Sequence, residues 1–503
     1  MALNLVSRVQ VTASRFINKR NSTALSHHGV RLEYDPEARR VAALTLGVTL
    51  ALVATAIMFV LSWFKPAGQV GNSKILADRD TGAIYVMVDG RLHPALNLMS
   101  ARLIAGQAVN PTFVKAAEIQ KYPQGPTVGL PGAPTAMPVR AGGAGQWAVC
   151  DSAPTATAMT SAGDRPLVTA IAGPLSGAGA GTLQMPSAVL TRHNGKTYIL
   201  WDGRRSEVDL NNKAVALALG IDPGSPAPVP MSKALFDAIP ATDPLVLPAI
   251  PDAGKPAPWN LGPGVVIGSV LSVRDLTEQD AETFYVLLRD GVEEVSPFVA
   301  TVVRAANSFG QAAPTQVSPD ALAPIPKVTV LPVSYYPPTR LELVDTTINT
   351  TTCLAWEKGQ GDRAAETRLV SGQALPIPAG AESRLVRLVK AGSAGPQSAE
   401  ADQVDIAPGA ANLVLSTSAA PTAASSDSMW WISDQGVRFG IELDQKTLEA
   451  LGVASAAAVQ APWPLIAVYS QGPALTRADA MTQHDSLGPV TGAAPLPQKE
   501  PGR

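Results

Sequence analysis

The chain has 503 residues, of which 46% are hydrophobic, 16% charged and 5% aromatic, with 44 prolines and 42 glycines. That length allows about three or four domains with real cores, and so low a charge content excludes a solvated, disordered polyampholyte. A net charge of −2 over the whole chain removes nucleic acid as a partner, and two cysteines with five histidines are too few for a zinc framework or an iron–sulfur cluster.

Residues 1–40 read as a cytoplasmic basic segment. Within it Val9, Ala13, Phe16, Ile17 and Ala24 fall on one side of a helix, with Arg15, Asn18 and Lys19 toward the other. This predicts a short amphipathic helix aimed at lipid headgroups or at a partner protein, the plainer alternative being a solvated basic tail. Residues 41–64 follow as an unbroken run without a charge. A helix over them rises about 36 Å, enough to cross a hydrocarbon core of about 30 Å, and no other window compares. A cleaved signal peptide fits poorly, because the run is too long and lies behind a polar stretch. Arg8, Arg15, Lys19, Arg20, Arg31, Arg39 and Arg40 precede the run against only Glu33, Asp35 and Glu37, while only Lys65 follows closely. The positive-inside rule then keeps the N-terminus in the cytoplasm and sends the rest across. Gly47, Ala51 and Thr55 recur every four residues and make a candidate helix-packing face, although an alanine-rich span produces such a row by chance as well.

Beyond the span a strand–turn–strand–helix pattern recurs. Tyr85 precedes Asp89–Gly90, Tyr198 precedes Asp202–Gly203 at the same spacing, and Tyr285 precedes Asp290–Gly291 at one residue more. That third copy is the looser one, and a fourth runs over 429–441. Alternating β-formers around Asp-Gly predict hairpins, and the apolar stretch after each has helical period. Such units are too small to bury their own faces and must pack on one another or on a central domain. The expected layout is repeat 1 at 65–125, a first core segment at 126–192, repeat 2 at 193–260, repeat 3 at 261–327, a second core segment at 328–425, repeat 4 at 426–486 and a disordered tail at 487–503. The fold class is thus α+β: a cytoplasmic helix, one transmembrane helix and a large β-rich ectodomain of four small repeats around a core.

Cys150 and Cys353 both fall in the exported portion, where an even count favours one disulfide over a pair of buried free thiols. Chemistry-bearing motifs are otherwise absent. Gly195–Lys196–Thr197 resembles the end of a phosphate-binding loop, but the required upstream glycine is Leu190, and Asn194–Gly195 reads more simply as a turn. His93 and His193 lie in hairpin copies without a metal-ligand partner, and His27 and His28 are adjacent in the cytoplasmic segment. Glu278 with Asp280, and Glu293 with Glu294, read as solvated loop charges. No constellation reads as an active site, and no metal or cofactor is called for.

The stretch QVTASRF, with Arg20 and Ala24–Leu25 behind it, then FKPAGQ, LADRDTGAIYVMVDGRLHPALNLMSARLIAG, VGLPGAP, WAVCD, SKALFDAIP, SMWWISDQGVRFG and GPALTRADAMTQHD occur in this order. In these blocks the chain resembles the EccB family, a membrane component of the mycobacterial type VII (ESX) secretion system. The resemblance implies a single-pass inner-membrane scaffold subunit with a periplasmic domain of four repeats around a core and a disulfide between Cys150 and Cys353. It implies EccC, EccD and EccE as membrane partners, self-association into dimers within a larger oligomer around the pore, and the mycosin protease as a periplasmic partner. Family members also carry an ATPase label, which makes ATP the one cofactor the resemblance suggests and nucleotide hydrolysis the alternative function. A second alternative takes the hairpin units as cell-envelope glycan-binding modules.

Overall fold

The computed structural model describes residues 7–27, 36–64, 70–140, 143–153, 165–222, 224–274, 282–389, 398–423 and 426–488. The tail expected to be disordered lies outside the described residues except for Leu487 and Gly488, as do Glu278 and Asp280. Two helices come first, α1 (Arg8–His27) and α2 (Pro36–Phe64). Helix α2 contains the one stretch among the described residues long and apolar enough to cross a membrane, Val41–Val60. Thr45, Thr49 and Thr55 do not break it, because each hydroxyl donates to the carbonyl four residues earlier.

The rest of the chain is mixed α and β, with a central sheet and four small units. Each unit extends the strand–turn–strand–helix pattern at both ends. In unit 1 the strands Ile75–Asp78, Ile84–Val88 and Arg91–Ala95 are antiparallel, and helix Leu98–Ala105 leads to strand Thr112–Val114, which returns parallel to the first. A short helix, Ala116–Ile119, closes the unit. The same order recurs in unit 2 from Ser187–His193 to helix Lys233–Ala238, in unit 3 from Val270–Arg274 to helix Pro319–Leu322, and in unit 4 from Leu413–Thr417 to helix Trp463–Ala467. The main helix of every unit starts at a side-chain cap: Asn97, Asn212, Ser296 and Asp444 each accept a backbone N–H from the first turn. The first strand of unit 2 therefore begins upstream of residue 193, and that of unit 4 upstream of 426.

The central sheet has seven strands, in the order Val386–Arg387, Gln403–Ile406, Leu167–Ala172, Ala144–Ser152, Thr351–Gly359, Glu366–Gly372 and Ala180–Thr182. Both long central strands alternate between two buried faces. One face, with Trp147, Val149, Leu354 and Trp356, packs against units 2 and 4, and the other holds Ala148, Cys150, Cys353 and Ala355. Units 1 and 4 share a core through Met99, Leu103, Trp431 and Leu451, while units 2 and 3 share one through Val215, Phe298 and Val302. The modules thus follow one another as 1–4–sheet–2–3. The last described strand, Gln483–His484, pairs with Thr127–Val128 in the sheet of unit 1, so the end of the body closes on its beginning.

Candidate functional site

The two cysteines meet at the middle of the central sheet. Cys150 and Cys353 are direct register partners on antiparallel strands, joined by a disulfide with Cα atoms 4.0 Å apart, and both are fully buried. That spacing suits a non-hydrogen-bonded antiparallel pair, where side chains approach closest. The bond spans 203 positions of sequence and links the two segments that build the sheet.

One residue further, on the opposite face, sits Asp151. It lies in line with Trp147 and Val149 and is 6% exposed. Its carboxylate accepts two hydrogen bonds from unit 2: the Ser232 backbone N–H at 2.7 Å and the Ser232 hydroxyl at 2.6 Å. Ser232 in turn caps helix Lys233–Ala238, its Oγ accepting the Leu235 N–H at 3.0 Å. Burial pushes the Asp151 carboxyl up to about 7, against the opposing pull of both Ser232 bonds. Beside it opens a cavity of about 250 Å³ lined by Thr191, Met231, Leu235, Thr346 and Asn349 among others. Nothing in the hairpin pattern pointed to Asp151. The available signal was an acid on the inward parity of the run Trp147–Val149–Asp151.

The turn residues divide into two kinds. Asp89–Gly90 and Asp202–Gly203 have positive φ at both positions, the conformation of a two-residue type I′ hairpin turn that Asp-Gly favours. Asp290 and Gly291 also lie in a hairpin connection, between the antiparallel strands Glu282–Leu287 and Val292–Val295 and closed by the Leu288 N–H to Gly291 carbonyl bond at 2.8 Å, but neither has positive φ. Gly291 is small for another reason: a Cβ there would lie 2.2 Å from the Pro326 carbonyl oxygen. Asn194–Gly195 is a third positive-φ turn, so Gly195–Lys196–Thr197 runs from a hairpin turn into strand Lys196–Trp201. A phosphate loop needs a following helix. Here Lys196 Nζ instead pairs with Glu207 across the hairpin at 2.9 Å. Glu293, read as a loop charge, is 3% exposed and accepts the N–H groups of Val330 and Leu331.

The histidines are held by backbone carbonyls, His93 by Pro126 at 3.0 Å and His193 by Met231 at 2.9 Å. No group of three metal-ligating side chains comes together among the described residues. Two stacked arginines escaped the sequence reading. Arg205 lies 3.7 Å over the Phe236 ring, and Arg438 lies 5.1 Å from both Trp430 and Trp463. They occupy matching places on the third strands of units 2 and 4, and each Nε donates to a backbone carbonyl at 3.0 Å. In units 1 and 3 the corresponding residues are the buried, apolar Leu92 and Val292. Gly47, Ala51 and Thr55 share one face of α2, and the exposed Val9, Phe16 and Ile17 of α1 have no partner within the described residues.

Residues 3–489 match the family model described as type VII secretion system ESX-1, transport TM domain B. Among curated proteins, the ESX-2 secretion system ATPase EccB2 of Mycobacterium tuberculosis is 49% identical over 97% of this chain and 97% of its own length. The ESX-5 secretion system ATPase EccB5 of the same organism is 39% identical over 96% and 95%. Among solved structures, a chain of an intact ESX-5 inner membrane complex superposes with a TM-score of 0.74 at 37% identity, covering 99% of both chains. A chain of the EccB3 dimer from the ESX-3 core complex gives a TM-score of 0.70 at 35% identity, covering 82% of this chain and all of the other.

Proposed function

Because this chain belongs to the EccB family of type VII secretion proteins, components of ESX inner-membrane complexes, we propose that it is a non-catalytic structural subunit that assembles and stabilises the export pore through its outer domain. In this reading α1 and the segment before the span stay in the cytoplasm, the helix over Val41–Val60 anchors the chain, and the four-unit body stands in the periplasm. Two copies pair through that body, a pairing supported by the likeness to a chain of the EccB3 dimer, and the dimers gather with EccC, EccD and EccE, with the mycosin protease as a further periplasmic partner. The observation that carries the reading is the end-to-end likeness, anchor and body together, to a chain of an assembled inner-membrane complex. Two features of the body suit a mechanical role: a buried disulfide across its central sheet and units that share cores in pairs.

Extraction in mild detergent followed by native electrophoresis tests this. The chain should migrate in a large assembly that contains EccC, EccD and EccE and collapses when the chain is deleted. Migration as a free monomer or dimer, with the remaining assembly intact, would refute it.

The names of the relatives favour a second reading, ATP hydrolysis. The hairpin setting of Gly195–Thr197 offers no phosphate cradle. Saturable ATP turnover by the purified chain, lost on Lys196→Ala, would establish that reading and displace the structural one.

A further inference from the structure

We propose that the contact between Asp151 and Ser232 is a proton-responsive clasp, which sets how firmly unit 2 is held against the disulfide-bearing sheet. Asp151 stands on strand Ala144–Ser152, next to the cysteine that fixes that strand to Thr351–Gly359. Both of its oxygens are engaged by one residue of unit 2, at the start of a helix that packs on the same two strands. The clasp therefore joins a covalently fixed element to a module held by packing and hydrogen bonds.

Among the described residues, the groups around it leave its charge without a counter-ion in contact. Arg165 pulls on it from a distance but is bound in an ion pair to Asp402, whose own charge repels. Lys233 and Asp237, on the helix that Ser232 caps, pair with each other at the exposed side. Thr352 and Val168, the register neighbours on either side, carry no charge. The protonated acid keeps both bonds, since its O–H can donate to the Ser232 Oγ while its other oxygen accepts the Ser232 N–H. The ionised acid keeps them too, but as a desolvated anion.

With the carboxyl raised from 3.8 to about 7, the closed clasp holds a proton that the opened, hydrated one has already released. Closure is thus strongest well below neutrality, weakens as pH rises from about 4 to about 7, and is level above that. On the outer face of an energised membrane, acidification by exported protons would tighten the junction. That setting follows from the proposed orientation, whereas the titration belongs to the folded chain in either compartment.

Hydrogen exchange of the full-length chain in detergent micelles, corrected for intrinsic exchange, measures the opening directly. Between about pH 6 and about pH 8 the opening constant of residues 229–239 should rise about tenfold. The unit 3 helix Pro297–Ala306 should stay level, and Asp151→Asn should abolish the rise at 229–239. An unchanged wild-type constant, an equal rise in Pro297–Ala306, or the same rise in Asp151→Asn each overturns the proposal. The first two outcomes need no variant, so a misfolded Asp151→Asn leaves the test intact, and none of them depends on whether the chain joins an export complex.

Discussion

Replacing Cys150 and Cys353 together by alanine isolates what the disulfide contributes, because the two strands retain their full register on either side. Reopening a loop of 203 positions restores chain entropy to the unfolded state worth about 5 kcal/mol at room temperature in the loop-closure treatment. Unfolding entropy of about 2 cal/mol/K per residue, over the roughly 400 residues beyond the span, turns this into a melting temperature lower by about 6 °C. The denaturant slope should also steepen, since the reduced unfolded chain is larger and exposes more surface. Differential scanning calorimetry and guanidinium titration of the body beyond the span in oxidising buffer read both quantities. The wild type should resist reductant until it unfolds, because both sulfurs are shut away from solvent. A melting temperature within about 1 °C of wild type together with an unchanged slope would sink the argument that this bond acts through the unfolded chain.

Gly291→Ala should destabilise by about 1–3 kcal/mol, because the new methyl collides with the Pro326 carbonyl. Gly90→Ala, strained only by its positive φ and facing open space, should cost about 1 kcal/mol. Chemical denaturation ranks the two, and the reverse order would contradict the separate roles assigned to these glycines. Phe298→Ala, at the core shared by units 2 and 3, should cost about 3–5 kcal/mol. The exposed Leu217→Ala nearby should change stability by less than about 0.5 kcal/mol. Val53→Asp places an acid near the middle of the span at a cost of about 3 kcal/mol on insertion scales. Carbonate extraction should then find less of the chain in membranes, and normal membrane levels would count against the span.

The features legible in the sequence were those written in local pattern. The uncharged run at 41–64, the Tyr-to-Asp-Gly spacing of the hairpins and the apolar helical stretches behind them lie within a few residues of one another. The outer pieces of each unit were not legible. Val229–Pro230 and Thr315–Gln316 are two-residue strands whose pairing is parallel to a strand far upstream, and two residues carry no periodicity. The pairing of unit 1 with unit 4, and of unit 2 with unit 3, depends on contacts between distant segments that no local pattern records. Asp290–Gly291 marks a hairpin as the pattern implied, yet the dipeptide serves two purposes that the sequence does not separate, a left-handed turn at Asp89–Gly90 and room for a passing carbonyl at Gly291. Asp151 needed the partner it meets, and Ser232 lies 81 positions away.

The return of Gln483–His484 to the sheet of unit 1 bears on how the body is made. A ribosome delivers unit 1 first, yet the neighbour that covers its helix and the strand that extends its sheet are the last to arrive. Cys150 likewise waits for a partner some two hundred positions behind it. The earliest module emerges unfinished, with apolar surface bare until unit 4 and the strand Gln483–His484 have been made. Completion of unit 1 is therefore a late event, and chains that stop short of the strand Gln483–His484 leave that module the most open to proteases.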